Sequence, residues 1–339
     1  MSYHSQCSEE IIEVVPEVTE IFGMFDVADV IGFGGRFDFQ GIKKRARNTH
    51  RKYDALLDKF ITERKRSRNK RKLELESKDD GEIGKDLLDL LLDIMESETE
   101  TVAEVKITED HIKALILDFL TAATDTTAIT LEWAMAELTN NPSVLKKAQQ
   151  EIDKVVGKQR IVGELDGPNL PYIQAIINET FRLHPAIPLL IRESIEDCNV
   201  EGYQIPSGSL LFVNIWSIGR NPKYWENPME FRPERFLEPR SEGGPIDAKG
   251  HCFELLPFGT GRRGCPGMPL AMRELPVVLS TMIQCFEWKA MDSDGHIILN
   301  EVDMTERPGL TTPRIHDMTC LLVPQIDLSR MIHESSSSN

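Results

Sequence analysis

The spacing of apolar side chains along the chain is mostly that of helices. Between residues 43 and 60 they recur at intervals of three and four, which places them on one helix face. A longer pattern starts after Thr108, whose hydroxyl suits a helix N-cap, and stops at Asn140, just before an Asn-Pro pair. A helix this long and apolar is expected to cross the middle of the protein, with residues 122–127 in its most buried stretch.

Shorter patterns continue towards the end of the chain. Residues 143–156 and 171–183 each predict an amphipathic helix. A last helix is expected to begin at Pro266, because proline is favoured at the first helical position. Alternation over 209–215 predicts a strand, and 312–323 is expected to add short strands. Together these elements predict a mainly α fold with a small β region.

Composition and charge narrow the class of protein. The chain has 339 residues, of which 40% are hydrophobic and 28% charged, as in ordinary globular proteins. Its net charge of −16 argues against a general nucleic-acid binder, whose affinity comes from neutralising phosphates. The six cysteines are scattered without a CxxC pair, which is typical of a reducing compartment. We expect one domain over residues 1–330 and a disordered polar tail over 331–339.

Signals for secretion or membrane insertion are not evident in the sequence. The chain begins with a polar, acidic segment, which is unlike a secretory signal. No run approaches the roughly 20 apolar residues of a transmembrane helix, and the longest candidate is residues 275–286. Residues 63–72 are strongly basic. Such a run is typical of a site that binds nucleic acid or a membrane surface, and also of a solvated helix end that runs into a loop. We favour the helix end, because no aromatic residues interleave with the charges.

The densest candidate site is the loop from Phe258 to Gly267, in which four glycines surround Cys265. Glycine lets a backbone approach a flat ligand closely and adopt positive φ. The expected helix N-terminus after Cys265, together with Arg262 and Arg263, favours the thiolate, which is the form of cysteine that binds metal. This loop therefore predicts a thiolate metal ligand at Cys265.

Two other interpretations of the loop stay open. The spacing of its glycines over 259–264 also fits GxGxxG, the dinucleotide-binding pattern, which requires a strand directly before it. Residues 254–258 are short and contain a proline, which weakens that interpretation. The other possibility is a buried cysteine in a tight turn, against which the surrounding glycines and arginines argue.

Two further motifs combine polar and apolar residues. Residues 122–127 place Asp125 and three threonines inside the long helix, where a hydroxyl beside a carboxylate could relay protons. A helix with its threonines bonded to the preceding turn explains the same residues.

Glu179 and Arg182 form an i,i+3 carboxylate–guanidinium pair with apolar neighbours, and Arg235 is a second arginine that could complete it.

These stretches together resemble the cytochrome P-450 superfamily of haem-thiolate monooxygenases. The haem-loop pattern FxxGxRxCxG is met in full from Phe258 to Gly267. The ExxR pair falls on Glu179 and Arg182, and the PERF segment on residues 233–236. The central-helix motif falls on residues 122–127. The resemblance implies a cytochrome P-450 fold that lacks its N-terminal third.

The resemblance also implies a cofactor and the roles of several residues. The cofactor is haem b, with Cys265 as the axial ligand of its iron. Asp125 and Thr126 would deliver protons during oxygen activation, and Glu179, Arg182 and Arg235 would form a structural triad. The remaining contacts to the haem would come from Arg263, Arg192, Phe258 and Gly267.

A narrower similarity is to the plant flavone synthase II and flavanone 2-hydroxylase group. It is carried by residues 169–177, 211–222, 253–264 and 302–314. The reaction that it implies is oxidation of a flavanone to a flavone or a 2-hydroxyflavanone. The residues expected to line the substrate pocket are Leu120, Ala123, Ala186, Ile187, Leu190 and Leu310.

The resemblance also implies redox partners and a cellular location, and the sequence departs from the family pattern at Ala123. Electrons are expected from NADPH through cytochrome P-450 reductase, and O2 is the oxidant. The expected location is the cytosolic face of the endoplasmic reticulum membrane, through an N-terminal anchor that this chain lacks. Ala123 stands where the family usually has glycine, so an extra methyl is expected to crowd the groove for dioxygen and substrate. The alternative hypothesis is a truncated, non-catalytic product that cannot bind haem.

Overall fold

Helices account for most of the ordered elements in this computed structural model. The residues that it describes are 14–30, 38–75, 85–97, 106–238, 246–292, 294–298 and 301–326. The chain divides into two units, Met1–Asp125 and Thr126–Asn339. The polar tail expected over 331–339 lies outside the described residues, and the single domain over 1–330 stays a prediction.

In the part that the structure describes, the N-terminal unit contains four helices and the first half of a fifth. The helices are α1 (residues 14–23), α2 (Val27–Val30), α3 (Ile42–Leu75), α4 (Leu87–Glu96) and α5 (Glu109–Asn140). Two apolar clusters hold them together, one around Tyr53 and Leu57 and the other around Ile61, Leu92 and Ile112.

Helix α3 runs well past the end of its apolar pattern, because lysine and arginine are good helix formers. Three side chains of the basic run form ion pairs with acids of the same unit. The Arg64 guanidinium lies 2.8 Å from the Asp89 carboxylate, and Lys65 Nζ lies 2.7 Å from Glu109 Oε2. Arg68 pairs with Asp93. The basic run is therefore part of α3, and these three of its charges are paired within the protein.

The described residues of the C-terminal unit form the rest of α5 and four further α-helices, α6 (Pro142–Val155), α7 (Pro171–Leu183), α8 (Ile215–Gly219) and α9 (Met268–Cys285). Its main core is formed where the end of α5 packs with α6, α7 and α9, and Leu138, Ile152, Ile173 and Leu279 are fully buried there. Because α7 is buried over nearly its whole length, its polar residues lie inside the protein.

Among the described residues, six short strands form three separate antiparallel pairs. They are β1 (Leu189–Glu193), β2 (Cys198–Val200), β3 (Tyr203–Ile205), β4 (Leu210–Asn214), β5 (Phe286–Ala290) and β6 (Cys320–Pro324). Strand β1 pairs with β4, β2 with β3, and β5 with β6. The prediction of a mainly α fold with a small β region is confirmed.

Helix boundaries differ from the predictions at two prolines. The last helix begins at Met268, with Gly267 as its N-cap and Pro269 in its first turn, so the prediction of Pro266 as the first helical residue was wrong. Helix α6 begins at Pro142, one residue earlier than predicted. In both helices a proline occupies the first turn, where its missing N–H costs nothing.

The burial of α5 also differs from the prediction. Apart from Ile112 near its start, its buried positions begin at Ile129, whereas Ala122, Ala123 and Thr124 are exposed. An apolar helix is buried only where other elements cover it, and α5 is covered near its C-terminal end. By length and composition α5 could cross a membrane, and only 11% of its apolar window is buried. Because α5 carries scattered charges, it contains no uninterrupted apolar run of the length that a transmembrane helix is expected to show.

Candidate functional site

The loop around Cys265 is closed by backbone hydrogen bonds. The Cys265 N–H donates to the Phe258 carbonyl oxygen at 2.9 Å, and the Gly264 N–H donates to the Gly261 carbonyl oxygen at 3.0 Å. Gly259 and Gly261 have φ of +66° and +73°, which side chains other than glycine rarely adopt. The glycines therefore allow the chain to turn twice within a few residues before it reaches Cys265.

The Cys265 thiol lies on the surface at the start of α9. Within the described part of the chain it forms no disulfide, and it is exposed. A Cβ placed on Gly267 would stand only 3.7 Å from Cys265 Sγ, so the absence of a side chain there keeps one side of the sulfur open. Helix α9 begins at Met268, three residues after Cys265, and a helix N-terminus favours negative charge close to it.

The structure weakens the dinucleotide interpretation of this loop. Residues 254–258, all of which the structure describes, form turns and contain no strand. The GxGxxG fingerprint requires a strand that leads into the glycine turn and a helix that opens there. Here only a short 3₁₀ turn, Gly261–Arg263, follows.

Strand β1 packs against the loop. A Cβ on Gly259 would stand 3.3 Å from Leu190 Cδ1 and 3.7 Å from Arg192 Nη2. The Arg192 guanidinium donates to the Arg263 carbonyl oxygen at 3.3 Å. Two of the arginines expected from the sequence are thus neighbours beside the loop that carries Cys265, and Arg263 is exposed.

Glu179, Arg182 and Arg235 form one buried network. Arg182 Nε and Nη2 donate to the two carboxylate oxygens of Glu179 at 2.6 and 2.8 Å. Arg235 Nε donates to Glu179 Oε1 at 3.0 Å. The side chains of Glu179 and Arg182 are completely buried. The Glu179 carboxylate accepts bonds from both guanidinium groups, so each buried guanidinium has a carboxylate partner.

Backbone carbonyls use the remaining donors of Arg182. Its Nη1 donates to the carbonyl oxygens of Gly219 and Pro228, each at 2.6 Å. A Cβ on Gly219 would stand 2.1 Å from the Arg182 carbonyl oxygen, so only glycine fits at the end of α8. The network therefore connects α7 to α8 and to the irregular segment that contains residues 226–235.

The other expected site residues lie on surfaces of their own units. Asp125 and Thr126 are half-buried, and the Thr126 carbonyl accepts a 2.8 Å bond from the Thr130 hydroxyl. In the N-terminal unit Leu120 is half-buried and Ala123 is exposed. In the C-terminal unit Ala186, Ile187 and Leu190 are half-buried, and Leu310 is exposed.

Sequence reasoning missed a second polar cluster in the C-terminal unit. His184 lies 2.7 Å from the Glu137 carboxylate, and Glu306 accepts bonds from Trp216 and Arg220. These residues come from separate elements, and no spacing along the chain connects them. The only local signal is the position of His184 directly after the buried helix α7.

Comparisons with known proteins identify the family of this chain. A family profile described as Cytochrome P450 matches residues 1–313. The chain belongs to the cytochrome P450 family. This P450 is 55% identical over 323 residues to cytochrome P450 93B16 of Glycine max, covering 94% of this chain and 60% of the relative.

Other relatives and a solved structure agree with that assignment. The P450 is 58% identical over 314 residues to cytochrome P450 93B2 of Gerbera hybrida, covering 93% of this chain and 58% of the relative. It is 44% identical over 327 residues to 2-hydroxyisoflavanone synthase of Glycine max, covering 95% and 62%. A zebra fish cytochrome P450 solved with progesterone superposes with a TM-score of 0.70 at 29% identity, covering 93% of this chain and 64% of that chain. The chain thus spans about three fifths of the length of these curated relatives.

Family membership implies a haem-iron cofactor, and the residues of the Cys265 loop fit such a group. The sulfur is exposed, as a metal ligand must be, and thiolate is a ligand that iron in haem accepts. Gly267 places no side-chain atom beside the sulfur, and the positive φ of Gly259 and Gly261 forms the turn that presents it.

Proposed function

We propose that the whole protein is a haem-thiolate monooxygenase and that Cys265 is its iron ligand. The observation that carries this proposal is the exposed Cys265 sulfur in a glycine turn directly before a helix N-terminus. A thiolate is favoured at such a position. When haem b is bound, it supplies the oxygen activation that no amino-acid side chain can perform.

The neighbouring residues have binding and positioning roles in this proposal. The Arg192 guanidinium lies beside the loop, Arg263 is exposed within the loop, and both arginines would neutralise the carboxylates of the cofactor. Phe258 holds the loop in place through its carbonyl bond to the Cys265 N–H, and its ring packs edge-on against Phe181. Gly267 leaves the sulfur accessible.

Proton supply and substrate contact are assigned by the family motifs. Asp125 would hold a proton on its carboxyl group, and Thr126 would pass it on through its hydroxyl. The apolar side chains proposed to contact the substrate are Leu120, Ala123, Ala186, Ile187, Leu190 and Leu310. Apolar contacts of this kind suit a flat, largely hydrophobic substrate.

We propose a flavanone as that substrate. The name of the similar soybean protein, 2-hydroxyisoflavanone synthase, refers to a product of the same chemical class. In the proposed reaction, flavanone, O2, NADPH and a proton give 2-hydroxyflavanone, water and NADP⁺, and loss of water from that product would give a flavone. Cytochrome P450 reductase would deliver the electrons, and the endoplasmic reticulum membrane is the proposed location.

A turnover assay tests the substrate assignment. The chain, supplied with haem, is mixed with plant P450 reductase, NADPH and the flavanone naringenin, and the products are identified by mass spectrometry. We expect a product that has gained one oxygen atom or one that has lost two hydrogens. Substitution of Asp125 by Asn should slow its formation about 10²-fold or more, as removal of a proton-transfer group does. No product from a haem-loaded chain would contradict the flavanone assignment and leave the haem assignment standing.

A further inference from the structure

Glu306 contacts residues at two other places in the C-terminal unit: Trp216 and Arg220 in and directly after α8, and His184 at the end of α7. Its two carboxylate oxygens accept bonds from Trp216 Nε1 at 3.1 and 3.0 Å, and Arg220 Nη2 donates to Oε1 at 3.2 Å. The Arg220 guanidinium also stacks over the Trp216 ring, 4.0 Å from its centre. The pKa of Glu306 is lowered overall: burial raises it, and the contacts with His184, Trp216 and Arg220 lower it by more.

His184 lies between Glu306 and a second carboxylate. Its Nε2 is 2.7 Å from Glu137 Oε1, and its Nδ1 is 3.8 Å from Glu306 Oε1. The imidazole stacks on the Trp133 ring, with centres 4.1 Å apart and an angle of 6°. Trp133 is completely buried, and His184 nearly so. The position of the imidazole at the end of α7 is therefore set from both sides.

The backbone around this cluster joins two segments. The Thr312 N–H donates to the Ala186 carbonyl oxygen at 3.0 Å, and the Thr312 hydroxyl donates to the Pro185 carbonyl oxygen at 2.8 Å. The Thr312 carbonyl in turn accepts a 2.9 Å bond from Trp133 Nε1. Thr312 belongs to the turn formed by residues 305–315, in which the Arg307 N–H bonds to the Pro313 carbonyl oxygen at 2.8 Å.

Three of the proposed substrate contacts are carried by these two segments. Ala186 and Ile187 follow the end of α7, and Leu310 lies in the 305–315 turn, four residues after Glu306. A shift of the turn against the 185–190 segment would change the distance between Leu310 and Ile187. The charged groups that oppose such a shift are the half-buried Glu306 and Arg220 and the buried Glu137, with His184 between the two carboxylates.

We infer that Glu306 is a positioning residue that holds the Leu310 turn against the Ala186–Ile187 segment and thereby sets the shape of the substrate pocket. Its role in substrate binding rests on the proposed function, whereas its effect on the turn does not. Glu306 accepts hydrogen bonds from Trp216 and Arg220 at the base of the turn, so its loss frees the turn at the end opposite to Thr312.

Hydrogen exchange tests the effect on the turn without reference to haem. We would compare the amide exchange of residues 305–315 in the unsubstituted chain and in Glu306→Ala, Glu306→Gln and Glu301→Ala. Glu301 is an exposed control five residues before Glu306 and outside the turn. We expect exchange at Thr312 to be about tenfold faster in Glu306→Ala, partly rescued in Glu306→Gln, and unchanged in Glu301→Ala, which corresponds to about 1.4 kcal/mol of local opening. Amides in α7 should keep their rates. Unchanged exchange at Thr312, or equal acceleration throughout the chain, would overturn the inference.

Naringenin binding tests the effect on the pocket in the haem-loaded chain. The dissociation constant is read from the haem spin-state change, alongside the height of the ferrous–carbonyl band. We expect Glu306→Gln to raise the dissociation constant about tenfold with the band unchanged. An unchanged constant would overturn the pocket role. A missing band in the unsubstituted chain would instead contradict the proposed function, and the exchange result would still decide whether Glu306 holds the turn.

Discussion

The backbone N–H of Cys265 donates a hydrogen bond to the carbonyl oxygen of Phe258 over 2.9 Å. Phe258 is held in turn by the ring of Phe181 in α7, edge-on with centres 5.2 Å apart. Because α7 also carries Glu179 and Arg182, the thiol and the buried charge network share one support. The position of Cys265 therefore depends on packing behind the loop as well as on the glycines within it.

Gly259 is expected to tolerate a side chain poorly. Its φ is +66°, and a Cβ would stand 3.3 Å from Leu190 Cδ1. The left-handed conformation alone costs a side chain about 1–2 kcal/mol. Gly259→Ala should therefore lower the free energy of unfolding in urea by more than that and reduce the amount of haem retained. Gly295→Ala is the matched control, since its φ is +82° and no heavy atom of the described residues lies within 4 Å of the added Cβ. Equal effects of the two substitutions would show that the contact with Leu190 is unimportant.

Arg182 is expected to be necessary for stability. Arg182→Met keeps much of the side-chain volume but leaves Glu179 with one guanidinium partner, so it should cost about 3–5 kcal/mol in urea unfolding. The control is Arg273→Met, because the Arg273–Glu164 pair is 3.8 Å long and largely exposed. Exposed pairs contribute about 1 kcal/mol or less. A loss below 1 kcal/mol for Arg182→Met would mean that the network is not a structural support.

Asp166 is expected to make stability depend on acid pH. Hydrogen bonds from Arg160, and then from the Gly163 N–H, lower the pKa of Asp166 from 3.8 to about 2. Because the pKa is depressed in the folded state, the stabilising contribution is full above 3.8 and is lost as the pH falls through about 2. Asp166→Asn should thus show a smaller loss of unfolding free energy between pH 5 and pH 2 than the unsubstituted chain, measured in urea. Asp153→Asn, at an exposed carboxylate, is the control, and parallel pH curves for Asp166→Asn and the parent would contradict this account.

Ala123 is expected to affect turnover more than stability. It is exposed in α5, and glycine in a helix interior costs about 0.5–1 kcal/mol relative to alanine. Ala128→Gly makes the same change at another exposed position of the helix. Both variants should lose similar unfolding free energy, whereas naringenin turnover should rise only in Ala123→Gly, because Ala123 is the position at which the family resemblance implies a glycine beside the dioxygen groove. Unchanged turnover would show that the methyl is tolerated.

Local signals allowed part of this structure to be predicted. The Thr108 cap and the Asn141–Pro142 pair bound α5 as predicted, because capping and proline act within one turn. The i,i+3 spacing of Glu179 and Arg182 likewise placed them on one face of α7.

Features that depend on distant parts of the chain could not be predicted. The exposure of residues 122–124 follows from which elements cover α5, and an apolar pattern does not contain that information. Glu306 meets His184 and Trp216 only after the 305–315 turn has folded against α7 and α8. Nothing in the spacing of these residues along the sequence reports that contact.

The carbon monoxide difference spectrum tests the central claim most directly. The chain is expressed with a supply of haem and reduced with dithionite, and Cys265→Ser is compared with Cys198→Ser, a substitution at an exposed cysteine of β2. We predict the red-shifted ferrous–carbonyl Soret band of a thiolate-ligated haem in the unsubstituted chain and in Cys198→Ser, and its loss in Cys265→Ser. The same band in Cys265→Ser would contradict the assignment of Cys265 as the iron ligand.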